Sequence, residues 1–164
     1  HSLLRATATI ILDMTARYPA FTLIELLVVV TIMIVLMSIG IASFSSAGKS
    51  ARDAKRKSDM ETVRQAMVVY KTQSATGDYP TGNYTTATAT LVNASGAVHY
   101  LSPPAPTDPK NTGSYVYSGT VATTSTFCFC ATLELPTSGN SNSNTCAGTW
   151  ASTGYQYYCV QQPY

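Results

Sequence analysis

Glu25 is the only charged side chain between Arg17 and Lys49, and it stands near the start of a strongly apolar segment. The apolar character runs from Phe21 to about Phe44, a span of 24 residues. About 20 residues of helix cross the hydrocarbon core of a membrane, so the segment is long enough to span one. An ionisable group in such a segment is costly to bury and indicates a functional role. Once apolar surfaces surround it, the Glu25 carboxylate requires a positively charged partner.

Four cysteines form a second group of residues that could do chemistry, and all lie in the last 40 residues: Cys128, Cys130, Cys146 and Cys159. An even number of cysteines in an exported domain is typical of disulfides. Cys128 and Cys130 share one face of a strand-like run, and a bond between them would strain an extended backbone. We therefore expect each of these two to pair with Cys146 or Cys159, and both assignments remain open.

Neither a metal site nor a catalytic site is predicted. The Cys-x-Cys spacing does not fit a zinc knuckle, and His99 is the only histidine after the apolar segment. After residue 81 the chain has one His, one Asp and one Glu, which do not make a nucleophile–base–acid set. A redox role for Cys128 and Cys130 lacks the usual Cys-x-x-Cys spacing. We therefore expect a protein that is not an enzyme and that has no cofactor.

The apolar segment begins with the residues Ala20-Phe21-Thr22-Leu23-Ile24-Glu25. This run closely resembles the N-terminal signature of type IV pilins and of type II secretion pseudopilins. The resemblance implies that a prepilin peptidase cuts the chain before Phe21 and that the freed α-amine faces Glu25 of a neighbouring copy. The family usually has Gly immediately before the cut, whereas this chain has Ala20, which is also small.

Residues 1–20 are expected to be a leader or upstream sequence and are left out of the fold prediction. The seven residues from Met14 to Ala20 contain one Arg and are otherwise uncharged. They resemble the short basic leader of the family, whereas residues 1–13 do not. We therefore expect translation to begin at Met14.

One long helix is predicted from Phe21 to about Ser74, because no Pro interrupts this range. Residues 21–47 are expected to form the transmembrane and assembly part, and residues 48–76 the amphipathic part. In the second part an apolar stripe recurs at helical spacing and is expected to pack on a sheet: Met60, Val63, Met67 and Tyr70. The sequence Gly77-Asp78-Tyr79-Pro80 predicts the end of the helix. It is also similar to the start of the globular part in the major pseudopilins and related pilins.

Residues 77–164 are predicted to form a β-rich head whose C-terminal region is linked by disulfides. Residues 81–113 are expected to be a connecting loop with at most a short strand or one helical turn. Strands are predicted at 114–118, 126–135 and 155–160, with a polar loop at 138–144. In the second strand one face is expected to meet the helix: Phe127, Phe129, Ala131 and Leu133. The predicted fold class is α+β, with the second half of a long helix packed on a small antiparallel sheet.

Five positive charges lie within nine residues after the apolar segment: Lys49, Arg52, Lys55, Arg56 and Lys57. The favoured interpretation is a solvated helix face that makes salt bridges within the chain or across subunits. Attraction to anionic lipid headgroups is a second interpretation. DNA binding by the assembled filament is a third and is weakly supported, because residues just beyond the apolar segment should be largely buried by neighbouring heads. No aromatic residues interleave with the charges, which weakens a case for single-strand binding. The positive-inside rule alone would keep this flank in the cytoplasm, whereas the cysteines and the signature favour export.

The resemblance implies a structural subunit of an extracellular type IV pilus-like filament. Its partners would be other copies of the chain, the prepilin peptidase, the inner-membrane assembly machinery and the membrane that holds the precursor. One alternative is a major-type pseudopilin of a type II secretion system. Pseudopilins of that type usually bind calcium through carboxylates in the C-terminal loops, and no Asp or Glu follows Leu135 here. A different class of protein, permanently anchored in the membrane and exported, is the other alternative.

Overall fold

A computed structural model describes residues 20–93 and 99–162 of the chain. Among these residues the helices are α1 (Leu23–Gln73) and α2 (Tyr84–Val92), and the strands are β1 (Gly82–Asn83), β2 (Ser118–Thr123), β3 (Thr126–Thr132), β4 (Gly139–Ser141), β5 (Trp150–Tyr155) and β6 (Tyr157–Gln161). The strands form one antiparallel sheet in the order β1-β2-β3-β6-β4-β5. The predicted α+β class is confirmed.

The chain divides into two compact units, His1–Ser43 and Phe44–Tyr164. In the described part of the first unit, the large apolar side chains from Phe21 to Ile41 are all exposed. By length and composition alone, α1 is apolar enough to cross a membrane. The first unit therefore has no core of its own among its described residues.

The core of the second unit lies between α1 and the sheet. Met60, Val63 and Met67 on α1 are fully buried, and they share one cluster with Phe127 and Phe129 of β3. The predicted apolar stripe is thus confirmed. The helix ends close to the expected place, because Gly77 has a φ of 72°, a left-handed conformation that glycine adopts without steric cost.

Strand β3 corresponds to the second predicted strand, at 126–135. Phe127, Phe129 and Ala131 are buried on the core side, as the alternation predicts. The opposite side carries Cys128 and Cys130, which the C-terminal loops cover. Leu133 is also fully buried, but β3 ends at Thr132 and not at residue 135.

The strand predicted at 114–118 is wrong. Thr112 and Tyr115 form an isolated bridge across a tight turn, and the strand begins only at Ser118. Gly113 lies in the turn with a φ of 59°, and Asn111, just before the turn, has a φ of 49°. These left-handed residues reverse the chain, so the alternating tyrosines do not form a strand.

The loop predicted at 81–113 is partly wrong, because it contains the nine-residue helix α2. Asn83 caps this helix: its side-chain oxygen accepts a hydrogen bond from the Thr86 backbone N–H at 2.9 Å. Tyr84 and Leu91 are buried on the same face of α2. Threonine is a weak helix former, which is why composition hid a helix that the cap and this buried face stabilise.

The polar loop predicted at 138–144 is also partly wrong, because it contains β4 between β6 and β5. Glycine, asparagine and serine have low strand propensity, so their sequence gives no strand signal. Tertiary contacts hold β4 in place: the Asn140 side chain donates to the Cys159 carbonyl at 2.9 Å and accepts from the Cys159 N–H at 2.7 Å. The strand predicted at 155–160 corresponds to β6, and β5 was not predicted.

Replacing Met67 by Ala should lower the free energy of unfolding by about 2–5 kcal/mol, because it opens a cavity at a fully buried site. The matched control is Val69→Ala on the same helix, where the residue is 43% exposed and the cost should stay below about 0.5 kcal/mol. Denaturant unfolding of the detergent-solubilised chain measures both. Equal losses would contradict the packing described here.

Candidate functional site

The start of α1 is capped by a residue of the signature itself. The Thr22 hydroxyl oxygen accepts a hydrogen bond from the Glu25 backbone N–H at 3.3 Å. A threonine followed three residues later by a glutamate is the capping-box pattern, and a negative charge in the first turn is favoured by the helix dipole. Sequence reasoning missed this role of Thr22, although the Thr-x-x-Glu spacing was visible.

The expected processing and assembly residues lie at this exposed helix start. Ala20 is exposed, and Phe21 is 83% exposed, so the peptide bond between them is accessible. Within residues 20–93 and 99–162, no cation forms an ion pair with Glu25. The positive partner that Glu25 requires in an apolar setting is therefore not among the described residues of the same copy.

A separate cluster of charges lies in the second unit, and Arg56 is its centre. This side chain is fully buried. Its guanidinium donates to Asp108 through two hydrogen bonds of 2.7 and 2.9 Å. It also donates to Asp53 at 2.7 Å and to Glu134 at 3.0 Å. One buried cation is thus shared by three carboxylates, and we call Arg56, Asp53, Asp108 and Glu134 the Arg56 cluster.

The carboxylates of the Arg56 cluster have further partners that complete their hydrogen bonding. Asp53 accepts from the backbone N–H groups of Glu134 and Leu135, each at 2.9 Å. Glu134 accepts from Arg52 at 2.6 and 2.8 Å and pairs with Lys110 at 2.9 Å. No buried side-chain nitrogen or oxygen of the described residues lacks a partner. The cluster therefore meets the condition under which buried charges are tolerated.

These contacts shift the pKa values in opposite directions. Hydrogen bonds to Asp108, and then to Glu134 and Asp53, raise the pKa of Arg56 well above its ordinary value. The hydrogen bond from Arg52, aided by Lys110 and Arg56, holds the pKa of Glu134 far below its usual range. Burial alone would raise the pKa of Asp108, but hydrogen bonds from Arg56 and from the Lys110 N–H lower it overall. All three groups are held in their charged forms.

Two tyrosines add further links to α1. The Tyr117 hydroxyl donates to Asp59 at 2.8 Å, and Asp59 also pairs with Lys55 at 2.6 Å. The Tyr158 hydroxyl donates to Glu61 at 3.0 Å. Burial, together with this hydrogen bond, raises the pKa of Tyr158 to about 12. The carboxylates of α1 therefore bind one tyrosine just before β2 and one on β6.

Four of the five cations predicted after the apolar segment bind partners within the chain, and Arg56 alone among the five is fully buried. Arg52, Lys55 and Arg56 make salt bridges within the chain, as the favoured interpretation allowed. The expectation of a solvated face is wrong for Arg56, which is buried. Both carboxylates that the chain has beyond residue 81, Asp108 and Glu134, bind its guanidinium. The signal in the sequence was the small number of carboxylates beyond residue 81. Five cations cluster at residues 49–57, so these few carboxylates were the available partners for a buried one.

The structure joins Cys128 with Cys146 and Cys130 with Cys159. This is one of the two cross-pairings that the sequence left open. Cys130 and Cys159 are direct partners in the register of β3 and β6. The sulfurs of Cys128, Cys130 and Cys146 lie close enough to one another to suggest a metal site, but disulfide bonds occupy all of them. The carboxylates of the Arg56 cluster are neutralised by cations, so they do not offer a metal site either.

Replacing Arg56 by Met should lower the free energy of unfolding by about 3–5 kcal/mol, because it leaves buried carboxylates without the cation that neutralises them. The matched control is Arg64→Met, which breaks a pair with Glu61 whose side chains are 33% and 37% exposed. That change should cost no more than about 1 kcal/mol. Denaturant unfolding at neutral pH measures both. If Arg56→Met lowered the free energy of unfolding no more than Arg64→Met does, the expected contribution of the Arg56 cluster to stability would be contradicted.

Stability should fall as the pH drops below about 4.5, and the sign follows from the lowered pKa values of Glu134 and Asp108. Their ordinary values are 4.5 and 3.8, so below these the unfolded chain binds protons that the folded chain does not. The stabilisation is complete above this window and is lost progressively as the pH falls. Thermal melting between about pH 7 and 3 tests this, and Glu134→Gln should make the acid decline shallower. A melting temperature that stays constant down to about pH 3 would contradict the prediction.

Comparisons with known proteins agree with the N-terminal geometry. A family model described as the prokaryotic N-terminal methylation motif matches residues 17–41. Comparisons with curated proteins and with solved structures found no match. The matched range contains the Ala20–Phe21 bond, the capping residue Thr22 and the carboxylate Glu25, and it ends before the Arg56 cluster. The chain therefore carries, at residues 17–41, the N-terminal signature of type IV pilins and pseudopilins.

Proposed function

We propose that this chain is the structural subunit of an extracellular type IV pilus-like filament, assembled from the membrane after cleavage before Phe21. The observation that carries the proposal is the methylation motif at residues 17–41, together with Glu25, which stands in an exposed apolar helix and has no ion-pair partner among the described residues. The motif implies a membrane-anchored precursor, processing by a peptidase and assembly into a filament. Proteins that carry this signature are structural and not enzymatic.

The first unit needs other surfaces to cover it. Its large apolar side chains from Phe21 to Ile41 are exposed, and an apolar surface of this extent marks a membrane or protein contact. Cleavage before Phe21 would create a new α-amine four residues before Glu25. In an assembled filament, that amine of one copy would neutralise the Glu25 carboxylate of a neighbour and fix the register between the two helices.

The second unit has the properties of an exported head. Its four cysteines form two disulfides, which persist in oxidising compartments. The cations that follow the apolar segment are largely engaged within the head, since Lys57 also donates to the Ser138 carbonyl at 2.6 Å. This engagement leaves few cations for DNA. We place the precursor in the inner membrane and the mature subunit at the cell surface.

The C-terminal region favours a pilus over a type II secretion pseudopilus. No Asp or Glu follows Glu134, so this region has no carboxylates for calcium. Two disulfides and the hydrogen bond from Lys57 to the Ser138 carbonyl hold the C-terminal region in place instead. A permanently anchored exported protein would result if the peptide bond after Ala20 were not cut.

Electron microscopy and mass spectrometry of filaments sheared from cells test the proposal. We expect an abundant thin filament that contains this chain beginning at Phe21. Glu25→Gln should leave cleavage intact and strongly reduce the filament yield, because the carboxylate that pairs with the new amine is lost. The matched control Glu61→Gln removes a half-exposed carboxylate from the same helix and should assemble normally. A chain that stays in the membrane fraction with residues 14–20 attached would contradict the proposal and support the permanent anchor.

A further inference from the structure

Lys49 and Asp78 are the two charged side chains of the second unit that have no ion-pair, hydrogen-bond or cation–π partner among the described residues. The other carboxylates all take part in ion pairs: Asp53, Asp59, Glu61, Asp108 and Glu134. Five of the other cations do so as well: Arg52, Lys55, Arg56, Arg64 and Lys110. Of the remaining cations, Lys57 binds the Ser138 carbonyl and Lys71 lies 4.5 Å from the centre of the Tyr79 ring. Every charged residue between Phe44 and Tyr164 lies in the described part of the chain.

The two unpartnered charges have opposite signs and lie far apart in one copy. Lys49 is exposed on α1, and Asp78 is half-exposed just beyond the end of that helix. The helix between Lys49 and Gln73 alone is about 36 Å long, at 1.5 Å per residue. Lys49 and Asp78 therefore cannot meet within one head.

We propose that Lys49 of one copy pairs with Asp78 of a neighbouring copy in the filament; this inference rests on the proposed function. The contact joins two different patches of the same molecule, which is the heterologous type of interface that builds open helical assemblies. It requires neighbouring copies to be offset along the helix by about the Lys49–Asp78 separation. The pair thus sets an axial register, in addition to the one that the amine and Glu25 would set.

The surrounding surface supports a role in specificity. Beyond residue 81, Lys110 is the only charged side chain that is not buried, and it is 38% exposed and paired with Glu134. Beyond residue 81 no exposed carboxylate therefore competes for Lys49, and the exposed charges of α1 that follow Lys49 already have partners within the chain. An exposed ion pair strengthens association by a factor of about 5 at most, so the pair selects the register more than it drives assembly.

A charge swap tests the pairing in cells that assemble the wild-type chain. Lys49→Asp and Asp78→Lys should each reduce the yield of sheared filaments, because like charges would then face each other. The double variant with both changes should restore the yield. The control is Lys49→Asp combined with Thr85→Lys, which puts the positive charge at an exposed position on α2 instead and should not rescue. Equal yields for the swap and this control would overturn the pairing.

A cross-link gives a second readout that does not depend on yield. The double variant Lys49→Cys with Asp78→Cys should form, on mild oxidation of filaments, a ladder of disulfide-linked chains on a non-reducing gel. The native cysteines are all in disulfides, so they add no free thiols. Each single cysteine variant should give no ladder. If filaments form and the double variant gives no ladder, the pairing is wrong; if the wild-type chain forms no filament, the proposed function fails and the pairing falls with it.

Discussion

The burial of one guanidinium is the constraint on which the head depends. Removing Arg56 from water is costly unless several hydrogen-bonded anions surround it. Those anions come from three places: Asp53 on α1, Asp108 in the loop between α2 and β2, and Glu134 just after β3. A chain that buries Arg56 must therefore bring the loop and the end of β3 onto the helix. The apolar core of Met60, Val63 and Met67 against β3 supplies the burial that makes this pairing strong.

The same constraint explains the unusual surface of the head. Its few charges beyond residue 81 are used internally, so the outside is built from Ser, Thr, Asn and Gly. The loops of this polar surface have little regular structure of their own. In the C-terminal region, two disulfides restrict the chain where hydrophobic contacts are few. Among the described residues of the head, every charged side chain except Lys49 and Asp78 thus has an ion-pair, hydrogen-bond or cation–π partner.

The N-terminal segment follows the opposite principle. Its apolar side chains are exposed and its carboxylate has no cation among the described residues. The Thr22 cap satisfies one N–H group at the start of α1, but it does not supply a charge for Glu25. A unit that is incomplete in this way needs lipid or further copies of itself, whereas the head needs neither. This contrast is what a subunit that leaves a membrane to join a filament requires.

The sequence by itself determined the features that depend on neighbouring residues. The long helix, its buried stripe, the alternating faces of β3 and the N-terminal signature all follow from local periodicity and spacing. The tertiary structure alone decided the features that depend on distant contacts. Arg56 and Glu134 are 78 positions apart, and the pairing of Cys130 with Cys159 follows from strand register. The buried face of α2 in the core and the bonds between Asn140 and Cys159 at β4 outweigh the weak propensities of these two elements. Local pattern does not encode such contacts, because each one depends on two segments that meet only after the chain has folded.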